Sequence, residues 1–388
     1  MKKILIICIV FIGLIFSSNI YAKEEVNNKD DGLGGNASSI YLLEYNSNTV
    51  VYEKNSKDKL YPASMTKMMS LIIIYEKIND KSLKLDDIVS VSAHAASMGG
   101  SQVYLAENEK MSVNDLLKAT CIASANDAVT ALAEKISGSE ENFVKSMNEH
   151  AKALKLENTN FVNPTGLHNT NHYSCSKDMA TIAKELIKVG GPDLLKITST
   201  YDAYIRESTP NKFWLVNTNK LLKSYPSVDG LKTGYTTEAK SCITTTANKD
   251  GIRLIAVVMG ASDAKSRNTI ATNLLNYGFS QFNSTLLYKK DTIIEEQSLN
   301  NGKPNKTNLL VMEDTYIISN KTNKPELIDS NIENIYNSLP IKKGEHIANL
   351  NLKYNNDYNI TIKLKSSLDI NPLNYIDTFF KFFKAIII

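Results

Sequence analysis

Three short polar clusters interrupt otherwise apolar stretches of this chain and carry the side chains that nucleophilic acyl transfer requires. The first is Ser64-Met65-Thr66-Lys67. On a helix, residues three apart share a face, so the Lys67 amine can reach the Ser64 hydroxyl. Such pairs are common on solvated helices, yet here Met65, Met68, Met69 and Leu71 to Ile74 make the segment apolar almost all round. A helix of that kind must be buried, and a buried lysine is disfavoured as a cation, so Lys67 could act as a neutral base toward Ser64. The second cluster is Ser124-Ala125-Asn126, a hydroxyl able to pass a proton and an amide able to hold a substrate amide. Capping of the following helix is the alternative use of those two side chains. The third is Lys232-Thr233-Gly234. A second cation close to Lys67 would depress it further, and glycine in a strand admits a substrate backbone along the edge. Backbone N–H groups of Ser64 and Tyr235 would then form an oxyanion hole.

The elements around these clusters can be read from spacing. Ile40 to Tyr45 and Val50 to Lys54 predict two strands joined by Asn46 to Thr49, and Pro62 to Ile78 predicts a helix with proline in its first turn. Residues 112 to 189 have helical periodicity, with Ser112 and Asp115 as a capping pair, Gly138 as a stop and Ser176 as the start of a helix through Asp178 to Val189. A short break between Cys121 and Asp127 aims Ser124 and Asn126 off this lobe. Strands follow at Leu231 to Thr236, Cys242 to Ala247 and Ile252 to Met259, with a turn at Asn248 to Gly251 and then a helix at Asn268 to Tyr277. A helical lobe set between sheet-forming ends predicts a mixed α/β (α+β) domain. Beyond Phe282, the short alternating segments Leu309 to Met312, His346 to Leu352 and Ile360 to Leu364 predict a small all-β domain.

With 388 residues, two domains are expected. Residues 1–22 read as a signal peptide: Lys2 and Lys3, an apolar run from Ile4 to Phe16 that is too short to span a bilayer, and a cleavage site at Ile20-Tyr21-Ala22. Removing this leader takes 44 Lys+Arg to 42 against 41 Asp+Glu, a formal charge of +1 that gives no support to a nucleic-acid partner. Residues 23–36 read as a polar linker. Cys121, Cys175 and Cys242 remain after the leader, an odd number without metal-ligand spacing, and read as packing thiols. In the tail, Asn374, Asp377, Lys381 and Lys384 form a polar stripe beside an apolar arc from Leu373 to Ile388. That pattern suits a helix in a membrane interface or one docked on the β domain.

The three clusters, taken in order, resemble the motif set of serine β-lactamases and penicillin-binding proteins. Tyr61 to Lys67 (YPASMTK), Ile122 to Asp127 (IASAND), Phe161 to Leu167 (FVNPTGL), His172-Tyr173-Ser174 and Val228 to Thr236 (VDGLKTGYT) are similar to the low-molecular-mass penicillin-binding proteins that are D-alanyl-D-alanine carboxypeptidases. The likeness runs from about Ser39 to Phe282. It implies a serine β-lactamase/DD-peptidase-like domain over 37–283, a β domain over 284–368 and a membrane-associating helix over 369–388. It also implies Ser64 as acylated nucleophile, Lys67 as base, Ser124 and Asn126 as second motif, and Lys232, Thr233 and Gly234 at the substrate carboxylate, with Arg267 as a further cation there. The implied substrate is the peptidoglycan stem peptide, the implied inhibitors are β-lactams, and no cofactor or metal is called for. The implied location is the outer face of the cytoplasmic membrane. Cys175 departs from the pattern, which usually carries threonine there. Two other readings compete. A β-lactamase needs a carboxylate to activate water, for which Glu157 is the nearby residue, and a penicillin-sensing or peptidoglycan-binding module would need no chemistry at all. His168 and His172, four apart in a Pro- and Gly-containing stretch, read as loop histidines rather than zinc ligands.

Overall fold

The computed structural model describes residues 32–320, 325–355 and 358–379. The expected signal peptide, most of the linker and residues 380–388 lie outside the described residues. A five-stranded antiparallel sheet organises the larger part of the chain. Its strands are β1 (Ser39–Glu44), β2 (Val50–Lys54), β3 (Val228–Thr236), β4 (Lys240–Lys249) and β5 (Ile252–Ala261), arranged β2-β1-β5-β4-β3. The central strands read as continuous apolar runs because both sheet faces are covered. Tyr41, Leu43, Ile255, Val257 and Met259 pack with the helical lobe, while the alternate residues Ile40, Leu42, Leu254, Ala256 and Val258 join a second core. Asp250 and Gly251, at φ 52° and 79°, supply the two left-handed residues of the tight β4–β5 hairpin.

The lobe contains α1 (Lys67–Asn79), α2 (Asn126–Ser137), the helix Glu140–Ala153 and α3 (Ser176–Thr198), and α4 (Ala264–Gln281) covers the opposite sheet face. Ser112 Oγ accepts from Asp115 N at 3.1 Å, and Gly138 closes α2 at φ 77°, both as the sequence predicts. One expectation needs correction. The single helix from Pro62 divides into a 3₁₀ turn, Ala63–Thr66, and an α-helix that begins at Lys67. α3 starts at Ser176 as the sequence predicts, with Cys175 as its cap, the Sγ accepting from Asp178 N at 3.4 Å. The Ser176 hydroxyl is engaged elsewhere, with Ser39 Oγ at 2.7 Å.

The remaining strands form a small all-β domain. Ile293–Ser298, Lys306–Val311, Asn359–Ser366, His346–Tyr354 and Leu327–Asn334 lie in that order in one antiparallel sheet, and Phe282–Tyr288 pairs with Thr315–Asn320. The last strand of the larger sheet, LIDSNIEN, is an exposed edge and carries too little apolar alternation to be read from sequence. Residues 375–379 are helical, and Lys303 Nζ lies 2.7 Å from Asp377 Oδ1. Among the described residues, no helix is long and apolar enough to cross a membrane.

Candidate active site

Ser64 lies in the 3₁₀ turn that leads into α1, one residue after Ala63, whose φ of 47° turns the chain sharply. Its hydroxyl is 3.1 Å from Lys67 Nζ. Lys67 is wholly buried, and its nitrogen also lies 2.6 Å from Asn126 Oδ1 and 2.8 Å from the Thr165 carbonyl. Those two oxygens only accept, so they take two N–H bonds and leave the third position of the amine facing Ser64. In the neutral amine that position is a lone pair, which is what a general base presents to a hydroxyl. Burial holds Lys67 well below its ordinary value, and Lys232 adds to the depression, while Asp127 opposes it. No acid is bonded to Lys67 among the described residues.

Ser124 follows a π-helical turn, Ala119–Ala123, and sits in the left-handed region at φ 64°. Ala125 is extended and α2 starts at Asn126. Neither side chain caps that helix. Ser124 Oγ is buried with no partner among the described residues, and Asn126 divides its amide between Lys67 and the Gly99 carbonyl at 2.7 Å. A non-glycine residue in left-handed geometry with an unpaired buried hydroxyl is an unusual combination for a packing residue. Asp127 braces this wall from behind, its buried carboxylate accepting from Val103 N and Leu105 N at 3.0 and 3.1 Å.

The opposite wall is β3, the edge strand of the sheet. Gly234 serves the protein's own packing. A Cβ there would stand 2.8 Å from Pro62 O and 3.1 Å from Ser64 N, so its absence lets the strand lie against the nucleophile's turn. Gly166 does the same from the loop below, where a Cβ would meet Ala63 O at 1.9 Å. The Tyr235 side chain, next along the strand, is exposed. Lys232 is buried and is brought down to about 7 by burial, with Cys121 opposing and Arg267 assisting. Thr233 is buried, and its hydroxyl donates to Thr218 Oγ1 at 2.7 Å. Arg267 is buried in the first turn of α4. Its Nη1 is 3.4 Å from the carbonyl of Cys242, the residue paired with Gly234. The structure thus brings Ser64, Lys67 and Asn126 into direct contact, sets Gly234 against the nucleophile's turn, and places Arg267 behind the strand that carries Lys232 and Thr233.

Glu157 does not join them. It is exposed, and the loop that meets Lys67 offers the Thr165 carbonyl where a β-lactamase would need a carboxylate. His172 is buried with both ring nitrogens occupied, Nδ1 accepting from Val162 N at 3.1 Å and Nε2 facing Thr66 Oγ1 at 2.7 Å, and burial lowers it to about 4. Sequence reasoning missed Thr165, whose contribution is a backbone carbonyl, and the Asn217-Thr218-Asn219 loop. A polar triplet between the core residues Leu215 and Leu221 was the available signal for the latter.

The family profile described as D-alanyl-D-alanine carboxypeptidase matches residues 26–263. The chain belongs to that family. A second profile, described as the C-terminal domain of penicillin-binding protein 5, matches residues 282–372. The chain is 43% identical over 383 residues to D-alanyl-D-alanine carboxypeptidase DacF of Bacillus subtilis, covering 98% of this chain and 97% of that one. It is 33% identical over 327 residues to DacC of Escherichia coli, covering 81% and 79%. A crystal structure of penicillin-binding protein 5 from Haemophilus influenzae superposes with a TM-score of 0.63 at 31% identity, covering 87% of this chain and 98% of that one.

Proposed function

We propose that this chain is a serine-type D-alanyl-D-alanine carboxypeptidase that removes the terminal D-alanine of peptidoglycan stem peptides through an acyl-enzyme on Ser64. The observation that carries the reading is the wholly buried, acid-free Lys67 amine directed at Ser64 Oγ. Ser64 adds to the carbonyl of the penultimate D-alanine as Lys67 takes its proton, with the N–H groups of Ser64 and Tyr235 receiving the oxyanion. Ser124 passes the proton to the departing amine, and D-alanine leaves. Water then cleaves the ester and restores Ser64. Lys232 and Arg267 supply the charge that a free terminal carboxylate requires, and Thr233 stands beside Lys232 with its hydroxyl bonded to Thr218. β-Lactams acylate the same serine. The catalytic domain is assigned to 37–283 and the β domain to 284–368.

An exported enzyme held at the outer face of the cytoplasmic membrane fits this substrate. Support comes from the leader-like residues 1–22 and from Tyr375, Ile376 and Phe379, which are exposed at the start of the tail. A chain ending at Ser367 should lose its binding to lipid vesicles, and retained binding would remove the tail from that role. For the activity itself, Ser64→Ala should abolish D-alanine release from a pentapeptide while circular dichroism stays unchanged. Continued turnover by that variant would refute the assignment.

A further inference from the structure

Asn217 to Asn219 form a loop that ties together parts of the cleft distant in sequence. Asn217 Nδ2 donates to the Thr198 and Thr200 carbonyls at 3.1 and 2.9 Å, and Asn219 Nδ2 donates to the Gly230 carbonyl at 3.0 Å. Between them, Thr218 N donates to the carbonyl of Ile122, in the π-helical turn that ends at Ser124, at 3.2 Å. Both flanking asparagines are buried, whereas Thr218 is half-buried, so the loop is anchored on either side of one partly open side chain. Such a side chain is positioned by backbone bonds rather than by its own packing.

The hydrogens of the two threonines can be counted. Thr233 Oγ1 donates to Thr218 Oγ1 at 2.7 Å, and a hydroxyl has one hydrogen to give. A carboxylate only accepts, so Thr233 in this arrangement has nothing left to offer it. Thr218 keeps its own hydrogen, for which no acceptor is found among the described residues. We infer that Thr218 is a substrate-binding residue, the terminal donor of a Thr233-to-Thr218 hydroxyl pair that delivers one hydrogen bond to the free carboxylate of the substrate. This rests on the carboxypeptidase reading above and adds to it a residue outside the three motifs. In the alternative in which Thr233 reorients to donate, Thr218 would be dispensable, which makes the two arrangements separable by experiment.

The test uses the full enzyme with Thr218→Val, which keeps the side-chain shape, and Thr218→Ser, which keeps the hydroxyl. A hydrogen bond to a charged acceptor is strong enough that its loss should lower the second-order rate of acylation by benzylpenicillin, and kcat/KM on a D-Ala-D-Ala peptide, by about ten- to a hundredfold. Thr218→Ser should restore most of that rate. A peptide whose terminal carboxylate is replaced by a carboxamide should react slowly, and equally, with wild type and Thr218→Val. An unimpaired valine variant would overturn the inference, and so would an equal loss on the carboxamide, since that would place the effect at Ser64 and Lys67 instead. A wild-type protein that neither takes up penicillin nor releases D-alanine would refute the carboxypeptidase reading itself, and the inference with it.

Discussion

Gly234→Ala puts the geometry of the nucleophile's turn under direct strain. Ordinary contact begins at 3.4 Å, and the added Cβ would lie 2.8 Å from Pro62 O and 3.1 Å from Ser64 N. Relief requires a movement of about 0.6 Å between β3 and the 3₁₀ turn, because both neighbours are backbone and cannot rotate away. The expected cost in stability is about 1–3 kcal/mol, typical of overpacking at a close-packed site. The cost in rate should be of similar size in free energy. Removing one oxyanion donor outright costs about 10²–10³ in rate, and misplacing a reacting group by about 1 Å costs about 10². A movement of this size should therefore slow acylation by about ten- to a hundredfold. Stopped-flow acylation by a chromogenic cephalosporin measures it, with thermal unfolding run in parallel. Tyr235→Ala is the control, because that side chain is 68% exposed and its removal leaves the backbone donor in place. Its rate should stay within about threefold of wild type, as for other surface truncations. If Gly234→Ala is folded and acylates at the wild-type rate, the close approach of β3 to Ser64 does not hold the oxyanion site.

Two further outcomes follow from the same geometry. Burial brings Lys232 down to about 7, so its ammonium is favoured on the acid side of that value and kcat/KM should fall as pH rises through this region. Lys232→Arg, which stays charged, should move that alkaline limb upward in a pH–rate profile, and an unmoved limb would assign it to another group. Cys175 caps α3 with a thiol at 3.4 Å, where a hydroxyl would bond better. Cys175→Thr should stabilise the protein by about 0.5–1 kcal/mol, visible as a small rise in melting temperature with activity unchanged.

Much of the architecture was legible because it rests on short-range rules. The β4–β5 hairpin is announced by Asp250-Gly251, and the burial of α1 by its nearly uniform apolar surface. The cleft was legible because acyl transfer needs a nucleophile, a desolvated amine and a carboxylate partner, and few residue types supply them. What was hidden depends on tertiary contact. Nothing in Asn217-Thr218-Asn219 indicates that its hydroxyl meets Thr233, because that contact is made only when the loop crosses to β3. The Thr165 carbonyl belongs to the main chain and leaves no residue-type signature. Ser176 marks the start of α3, but its hydroxyl meets Ser39 Oγ and the thiol of Cys175 caps the helix, which only the tertiary contact reveals. A glycine in a strand suggests room for substrate, yet the nearest neighbours of Gly234 belong to the turn that carries Ser64.

The central claim is that Ser64 becomes covalently acylated with Lys67 as its base. Trypsin releases residues 60–67 as one peptide between Lys59 and Lys67, so the site can be read by mass spectrometry after brief exposure to benzylpenicillin. A single, slowly released penicilloyl group on Ser64, absent from Ser64→Ala and formed far more slowly by Lys67→Met, is the predicted result. An adduct on another residue, or none on the folded wild-type protein, would contradict the account.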